Sequence, residues 1–450
     1  MESDSNRPME EKPERVSETT KPDGEASLPG QGWEWVEPAV WTDRMLEALQ
    51  EGVQGGKWYS LIDKVAREEN LRESWEKVAM NDGAPGVDHV DVEEYEQHLD
   101  SNLTRLSKQI EEENYEPKPV RRCWIEKPGG GERPLGIPAV EDRIVQTALR
   151  HTIEPIFERD FAERSYGFRP GRGCKDALRD VDQLLSEGHS WVLDADIKSY
   201  FDSIPHEQLM DRVREKISDG KLLSLIEKYL ENEVMEESSS WTPMEGTPQG
   251  GPLSPLLANV YLNPLDHLME EEGYRMVRYA DDFVVLCDSR EEAERAKELI
   301  ERWAQNAGLT LHPEKTEVAQ AEEDGFDFLG YRFEGGKRFP KDGSLKEFRD
   351  TIREKTEKND GRSMQMIIAD INRYLKGWFN YFKHSYHTWL EDLDGFVRRR
   401  LRGILRRRAE ISGHPNGYDC IRWPNSYFEG EGLFTLRTAL LEYIQSLRGG

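Results

Sequence analysis

Once the chain passes Trp41, apolar residues recur at helical spacing: Leu46 and Leu49, then Leu61, Ile62 and Val65. The glycine–proline run at 83–88 interrupts this pattern, and a helix resumes over about 92–110. Residues 1–30 hold almost no large apolar side chain and read as a disordered acidic tail, drawn to residue 38. Past 115 the pattern turns extended, and 115–128 leads through Gly129-Gly130-Gly131 into 132–138, a predicted β-hairpin. Helices are predicted over 141–156, 206–233, 256–265 and 290–307. Short apolar runs at 191–195, 276–277 and 283–286 read as buried strands. Residues 308–316 and 326–333 are expected as the last strands of the same region. From 347 onward long helices dominate, and 418–447 closes the chain as a compact tail.

The expected class is α+β, in five regions. They are the tail (1–38), a helical extension (39–115), a mixed region with an antiparallel sheet (116–345), an α-helical region (346–412) and a C-terminal extension (413–450). No stretch approaches 18 consecutive apolar residues, so no membrane span or membrane partner is expected. Four scattered cysteines offer no zinc pair and no disulfide framework, which fits a reducing cytoplasm.

Charge complicates the picture. Sixty-one basic and 88 acidic residues give a net −27, the wrong sign for an ordinary nucleic-acid binder. An acidic surface suits a salt-rich cytoplasm, where counter-ions screen it, and an extremely halophilic source is expected. The bases are unevenly spread. Residues 1–100 carry 10 Lys and Arg against 25 Asp and Glu, whereas 118–175 carry 12 against 8 and 371–410 carry 10 against 4. Two basic islands persist in an acidic chain.

Candidate chemistry centres on Asp281-Asp282, set between the strands 276–277 and 283–286. Adjacent like charges repel, and a divalent cation removes the repulsion; a solvated acidic turn is the alternative for this motif alone. Asp196 ends the strand that starts at Trp191. If that strand lies beside the hairpin, three carboxylates meet at one sheet edge, a set able to hold two metal ions for phosphoryl transfer. Lys127 and Arg133 flank the glycine turn and could grip a triphosphate, or be solvated surface cations. Arg169 and Arg172, in a second glycine–arginine loop with Phe168, suit contacts to a single strand. The arginines of 398–408 repel one another unless a polyanion is present, and Arg398, Arg399, Arg402 and Arg406 are candidate RNA contacts. Among the aromatics of 371–383, Trp378, Phe379, Tyr381 and Phe382 are expected mostly as core.

Tyr279-Ala280-Asp281-Asp282 resembles the signature of reverse transcriptases, and the three-carboxylate edge resembles the palm of nucleic-acid polymerases. Further blocks occur in order from about 83 to 427: the loop at 83–87, the segments 127–138 and 165–178, Pro248-Gln249-Gly250, 308–316, 326–333, 375–382 and Arg422-Trp423-Pro424-Asn425. As an ordered set they resemble the reverse transcriptase–maturase encoded by group II introns. The resemblance implies a right-hand polymerase fold of fingers and palm with an α-helical thumb, or maturase, domain. It implies RNA-directed DNA polymerisation with splicing and mobility of the intron RNA. The implied cofactor is Mg²⁺, as two ions, with Mn²⁺ as a substitute. Implied partners are the cognate intron RNA, an RNA template with a DNA primer, target DNA and deoxynucleoside triphosphates. By the same resemblance, Asp196, Asp281 and Asp282 are catalytic metal ligands and Phe201 is a steric gate against a ribose 2′-hydroxyl. Lys127, Arg133 and Gln249 contact the incoming nucleotide. The His/Cys endonuclease module of many relatives is not expected here. Competing readings are an RNA-binding splicing maturase and a retron or defence-associated reverse transcriptase.

Overall fold

The computed structural model describes residues 33–53, 55–126, 131–236, 239–357, 361–411 and 417–448. The chain divides into two units, Met1–Val36 and Glu37–Gly450. In the first, a turn closes from Val36 N–H to the Trp33 carbonyl at 3.1 Å. Most of the tail assigned to 1–38 lies outside the described residues.

The strands of the second unit are β1 (Val120–Glu126), β2 (Glu132–Ile137), β3 (Trp191–Asp196), β4 (Val234–Glu236), β5 (Ser239–Trp241), β6 (Arg275–Tyr279), β7 (Asp282–Cys287), β8 (Glu317–Gln320), β9 (Phe326–Phe328), β10 (Tyr331–Glu334) and β11 (Lys337–Pro340). They form three sheets with the orders β2-β1-β4-β5, β6-β7-β3-β8 and β11-β10-β9. In the central one, β7 pairs antiparallel with both β6 and β3. Phe283 to Cys287 of β7 are fully buried. Burial on both faces explains why the run is continuously apolar rather than alternating.

One expectation fails here. Residues 308–316 form a loop, tied to the β3 end by a single bridge, Ile197 to Leu311; the strand starts only at Glu317. Residues 326–333 hold the strands β9 and β10, which form a three-stranded sheet with β11.

The helix Met364–Phe382 begins at Ser363, whose hydroxyl accepts from Met366 N–H at 3.2 Å. It buries Ile367, Ile368, Ile371, Leu375, Trp378, Phe379 and Phe382, one stripe at the i, i+3, i+4 spacing. Tyr381 is half-buried, its ring 5.6 Å from that of Tyr331. The same core continues through Val277, Val284 and Leu286 of the central sheet to Leu401, Phe428 and Leu436. One apolar core thus crosses the 345/346 boundary, which marks a change of secondary structure and no gap in packing. Among the described residues no helix is long and apolar enough to cross a membrane.

Candidate active site and nucleic-acid contacts

The β6–β7 hairpin is tight: Tyr279 pairs with Asp282, leaving Ala280 and Asp281 as the turn. Asp282 opens β7 and lies directly across from Asp196, the last residue of β3. Directly opposed residues of antiparallel strands share a face, with Cα atoms about 4.5–5.5 Å apart. The register therefore brings Asp196 beside the two aspartates of the turn.

Ala280 has a φ of 60°, in the left-handed region, which costs a non-glycine residue about 1–2 kcal/mol. Two neighbours hold it there. The carbonyl of Ala280 accepts from Arg278 Nη1 at 2.8 Å. That guanidinium is fully buried; it also donates to Asn259 Oδ1 at 2.9 Å and, through Nε, to Asp266 Oδ1 at 2.7 Å. On the other side the 165–168 loop leans on the turn, with Tyr166 N–H donating to the Arg278 carbonyl at 2.8 Å. A Cβ on Gly167 would lie 2.3 Å from the Ala280 nitrogen, so only glycine permits this approach. Sequence reading assigned Arg278 no role, because a buried arginine is recognised only through partners distant along the chain.

The carboxylates are electrostatically uneasy. Burial first, then Asp281 and Asp196, push the Asp282 carboxyl up to about 6. Asp281 is raised too, by burial and then by Asp196. Asp194, two residues back on β3, is pushed up to about 8 by burial, with Asp282, Glu317, Asp327 and Asp196 adding like charge. Asp196 is hydrogen-bonded at 2.5 Å to the ammonium of Lys315, which comes from the loop before β8. Lys315 is a further site residue; it falls within 308–316, where nothing in the local sequence points its ammonium at Asp196.

These donors suit a hard divalent cation: they are all oxygen, all anionic, and their ionised forms are disfavoured by one another. They do not form a closed cage. Among the described residues no three Asp, Glu, His or Cys side chains converge closely enough to hold a metal. Mg²⁺ usually takes one or two carboxylates and fills its octahedron with water and substrate phosphate, so an open set is the fitting arrangement.

Other candidates gather beside this edge. The 246–250 loop packs on the turn after β3, with Thr247 N–H donating to the Phe201 carbonyl at 2.6 Å. Gln249 Nε2 lies 3.3 Å from Asp202 Oδ2, and its carbonyl accepts from Gly136 N–H of β2 at 2.6 Å. Gly250, at φ 115°, would bring a Cβ within 2.3 Å of the Gly136 oxygen. The loop is thereby clipped to the hairpin that carries Arg133. The half-buried Phe201 ring is held edge-on by Tyr200 (5.6 Å) and Phe168 (6.5 Å). Arg133 is exposed on β2, paired across from Ile125; Lys127 lies outside the described residues.

The arginine candidates fare unequally. Arg169 is buried, its guanidinium bound to Glu158 through Nε (3.0 Å) and Nη2 (2.8 Å) and to the Ser165 carbonyl at 2.7 Å. Arg402 is buried against the Trp423 carbonyl (2.9 Å) and Asn425 Oδ1 (2.8 Å). Arg406 is buried in an ion pair with Asp419 at 2.7 Å. These three brace the protein, and the expectation that they contact RNA is corrected. Arg172 is half-buried beside the Tyr166 ring (5.8 Å) and donates to the Glu163 carbonyl. Arg399 is exposed and Arg398 half-buried on the helix Leu390–Arg408.

Comparison with known proteins fits this architecture. Residues 125–333 match the family described as reverse transcriptase (RNA-dependent DNA polymerase), and residues 345–413 match the group II intron maturase-specific domain. Protein YkfC of Escherichia coli (strain K12) is 34% identical over 313 residues, which cover 60% of this chain and 82% of that protein. The chain belongs to the group II intron reverse transcriptases. The group II intron-encoded protein LtrA of Lactococcus lactis subsp. cremoris is 40% identical over 168 residues, 37% of this chain and 28% of its own. An uncharacterised 91 kDa protein in the cob intron of Schizosaccharomyces pombe is 30% identical over 289 residues, 51% of this chain and 35% of its own. The chain thus spans most of the first relative and about a third of the other two. Its family is one of RNA-directed DNA polymerases, with dependence on a divalent metal and a domain for binding intron RNA.

Proposed function

We propose that this protein copies RNA into DNA at the β3–β7 edge, and that it does so on a group II intron RNA which its maturase-specific region helps to fold. The observation that carries this reading is the register pair Asp196–Asp282 with Asp281 in the adjoining turn. Asp196, Asp281 and, in support, Asp282 would hold two Mg²⁺ ions. Such ions supply Lewis acidity to an attacking hydroxyl and charge neutralisation to a leaving pyrophosphate. The chain's own residues set the geometry. Arg278 fixes the turn through the Ala280 carbonyl, keeping Asp281 at the sheet edge. Lys315 screens Asp196 until a cation replaces it. Phe201, wedged between Phe168 and Tyr200, is a wall against a 2′-hydroxyl. Gln249 and Arg133, on segments joined by the Gly136–Gln249 hydrogen bond, orient the incoming deoxynucleotide from its other side, together with Lys127.

Primer extension on an RNA template, with Mg²⁺ and deoxynucleotides across a KCl series, tests the assignment. Long cDNA from the wild type and none from Asp281→Ala is the expected result. Retained synthesis in Asp281→Ala would remove the carboxylates from the mechanism. Wild-type protein that binds intron RNA but makes no cDNA at any salt would instead make it a splicing factor. An optimum in molar KCl is expected from the acidic surface, and a peak near low salt would contradict it.

A further inference from the structure

Far from the carboxylates, at the opposite end of β3, a cavity of about 620 Å³ opens between the central sheet, the β10–β11 turn, the segment after the helix Met364–Phe382 and the helix Leu436–Arg448. Ser190, just before β3, lines it. Asp196 lies about 20 Å further along the chain from Ser190, at about 3.3 Å per residue. The site is therefore separate from the catalytic edge.

Its chemistry is unusual for this chain. Lys337 Nζ lies 4.1 Å from the centroid of the Tyr386 ring, and Lys383 Nζ lies 4.9 Å from that of Tyr443. Among the described residues Lys337 has no carboxylate partner, although acids outnumber bases overall by 88 to 61. His384 packs edge-on to Tyr443, with ring centroids 5.6 Å apart and its Nδ1 3.4 Å from the Tyr443 hydroxyl. Burial holds its imidazole down at about 4, with the nearby cations Arg338, Lys383, Lys175 and Arg179 adding to the effect. Three acids also line the cavity: Asp182 is paired with Arg338 at 2.6 Å, Glu334 with Arg332 at 3.5 Å, and Glu322 is exposed at the rim. Tyr386 is 44% exposed, with the Phe339 ring edge-on at 5.7 Å and the His387 ring parallel to it at 6.3 Å.

An ammonium resting on a ring face is weakly held, worth about 0.5–1 kcal/mol where solvent reaches it. A phosphate would draw the ammonium away and free the face for a planar base, worth more as a stacking partner. The volume lies within the roughly 300–1,000 Å³ of small-ligand sites. We propose that this cavity binds an unstacked nucleotide of single-stranded RNA, its base on Tyr386 and its phosphate on Lys337. This rests on the reading of the chain as an RNA-directed enzyme. It adds a second RNA contact on the seam between the polymerase and maturase-specific regions.

The test is photo-cross-linking of the full-length protein to a short oligouridylate carrying 4-thiouridine, with the labelled peptides mapped by mass spectrometry. Labelling of the peptide bearing Tyr386 is expected. Tyr386→Ala should weaken oligomer binding about tenfold, the loss of one stacked base. Lys337→Gln, a substitution at a surface ammonium, should lower labelling at least severalfold while circular dichroism stays that of the wild type. Labels confined to peptides near Arg133 and Asp281, or unchanged labelling in Lys337→Gln, would overturn the proposal. Uridine monophosphate that competes as well as the oligomer would assign the cavity to free nucleotide and overturn the RNA source. Wild-type primer extension on a short template, run in parallel, reports on the polymerase reading alone, so the two can fail separately.

Discussion

At the β6–β7 turn, two carboxylates stand beside a third on the neighbouring strand, all of one sign, with Lys315 as the cation hydrogen-bonded to Asp196. Along the helix Leu390–Arg408, an equally one-signed run of arginines is largely matched from within. Arg406 meets Asp419, Arg402 meets the 423–425 segment, and Arg400 donates to Thr356 Oγ1 at 2.9 Å. In the palm the fold leaves counter-charge to be supplied by a ligand. In the thumb it ties several of the arginines to internal acceptors, the Asp419 carboxylate among them. A run of like charge in a sequence therefore marks a binding site only where the folded chain withholds the partners.

The largest effect that would break or sharpen this contrast is at Asp281. Asp281→Asn should lower primer extension by at least about 10²–10³-fold, the scale set by losing one preorganised electrostatic group. It should leave intron-RNA affinity near the wild-type value. Removing one of the mutually repelling charges should also raise the melting temperature of the metal-free protein, and Mg²⁺ should narrow that difference. A melting temperature that falls instead would mean the palm charges are balanced inside the protein like those of the thumb.

Next in size is Arg278→Met. It strands Asp266 as an uncompensated buried carboxylate, costing about 3–5 kcal/mol, and releases the Ala280 carbonyl. Asp266→Leu added to Arg278→Met should restore much of the stability in a denaturant melt without restoring polymerisation, because the turn stays unheld. Arg406→Met should cost stability at the low end of the same about 3–5 kcal/mol range while changing RNA affinity less than twofold. A tenfold loss of affinity there would return Arg406 to the RNA-contacting set.

A pH titration separates the regions further. The Asp194 carboxyl, pushed up to about 8 by burial and its acidic neighbours, binds a proton in the folded state that the unfolded chain gives up near its ordinary value of 3.8. Between those values the folded state holds more protons, so stability falls as pH rises. Wild-type protein without metal should lose a few kcal/mol across this window, scaled from about 1.4 kcal/mol per pKa unit, and Asp194→Asn should flatten the slope. A flat wild-type profile would mean a cation already neutralises that face.

The carboxylate edge was legible because its signals are local. Apolar strand, acidic pair and apolar strand fall within a dozen residues, and one further strand with a terminal aspartate completes the set. The buried arginines were misread for the opposite reason: the side chains that bind Arg169, Arg402 and Arg406 sit 11 to 23 positions away, and nothing in the local sequence announces them. Residues 308–316 show a subtler failure. Leu309 and Leu311 alternate as a strand would, yet Leu309 is buried as the anchor of a loop that turns Lys315 toward Asp196. The true edge strand, Glu317 to Gln320, is too short and polar to declare itself.

The smallest effect is the most telling for the thumb. Arg399 is exposed on the helix, with no ion pair among the described residues, so Arg399→Gln should change stability by less than about 0.5 kcal/mol. If its guanidinium neutralises a phosphate, releasing one counter-ion, the variant should bind intron RNA more weakly at low salt. The slope of log affinity against log salt should then shrink by about 0.7–0.9. Arg406→Met, by contrast, should leave that slope unchanged and lower only the melting temperature. Identical slopes for wild type, Arg399→Gln and Arg406→Met would mean that this helix is structural throughout and that RNA is held elsewhere.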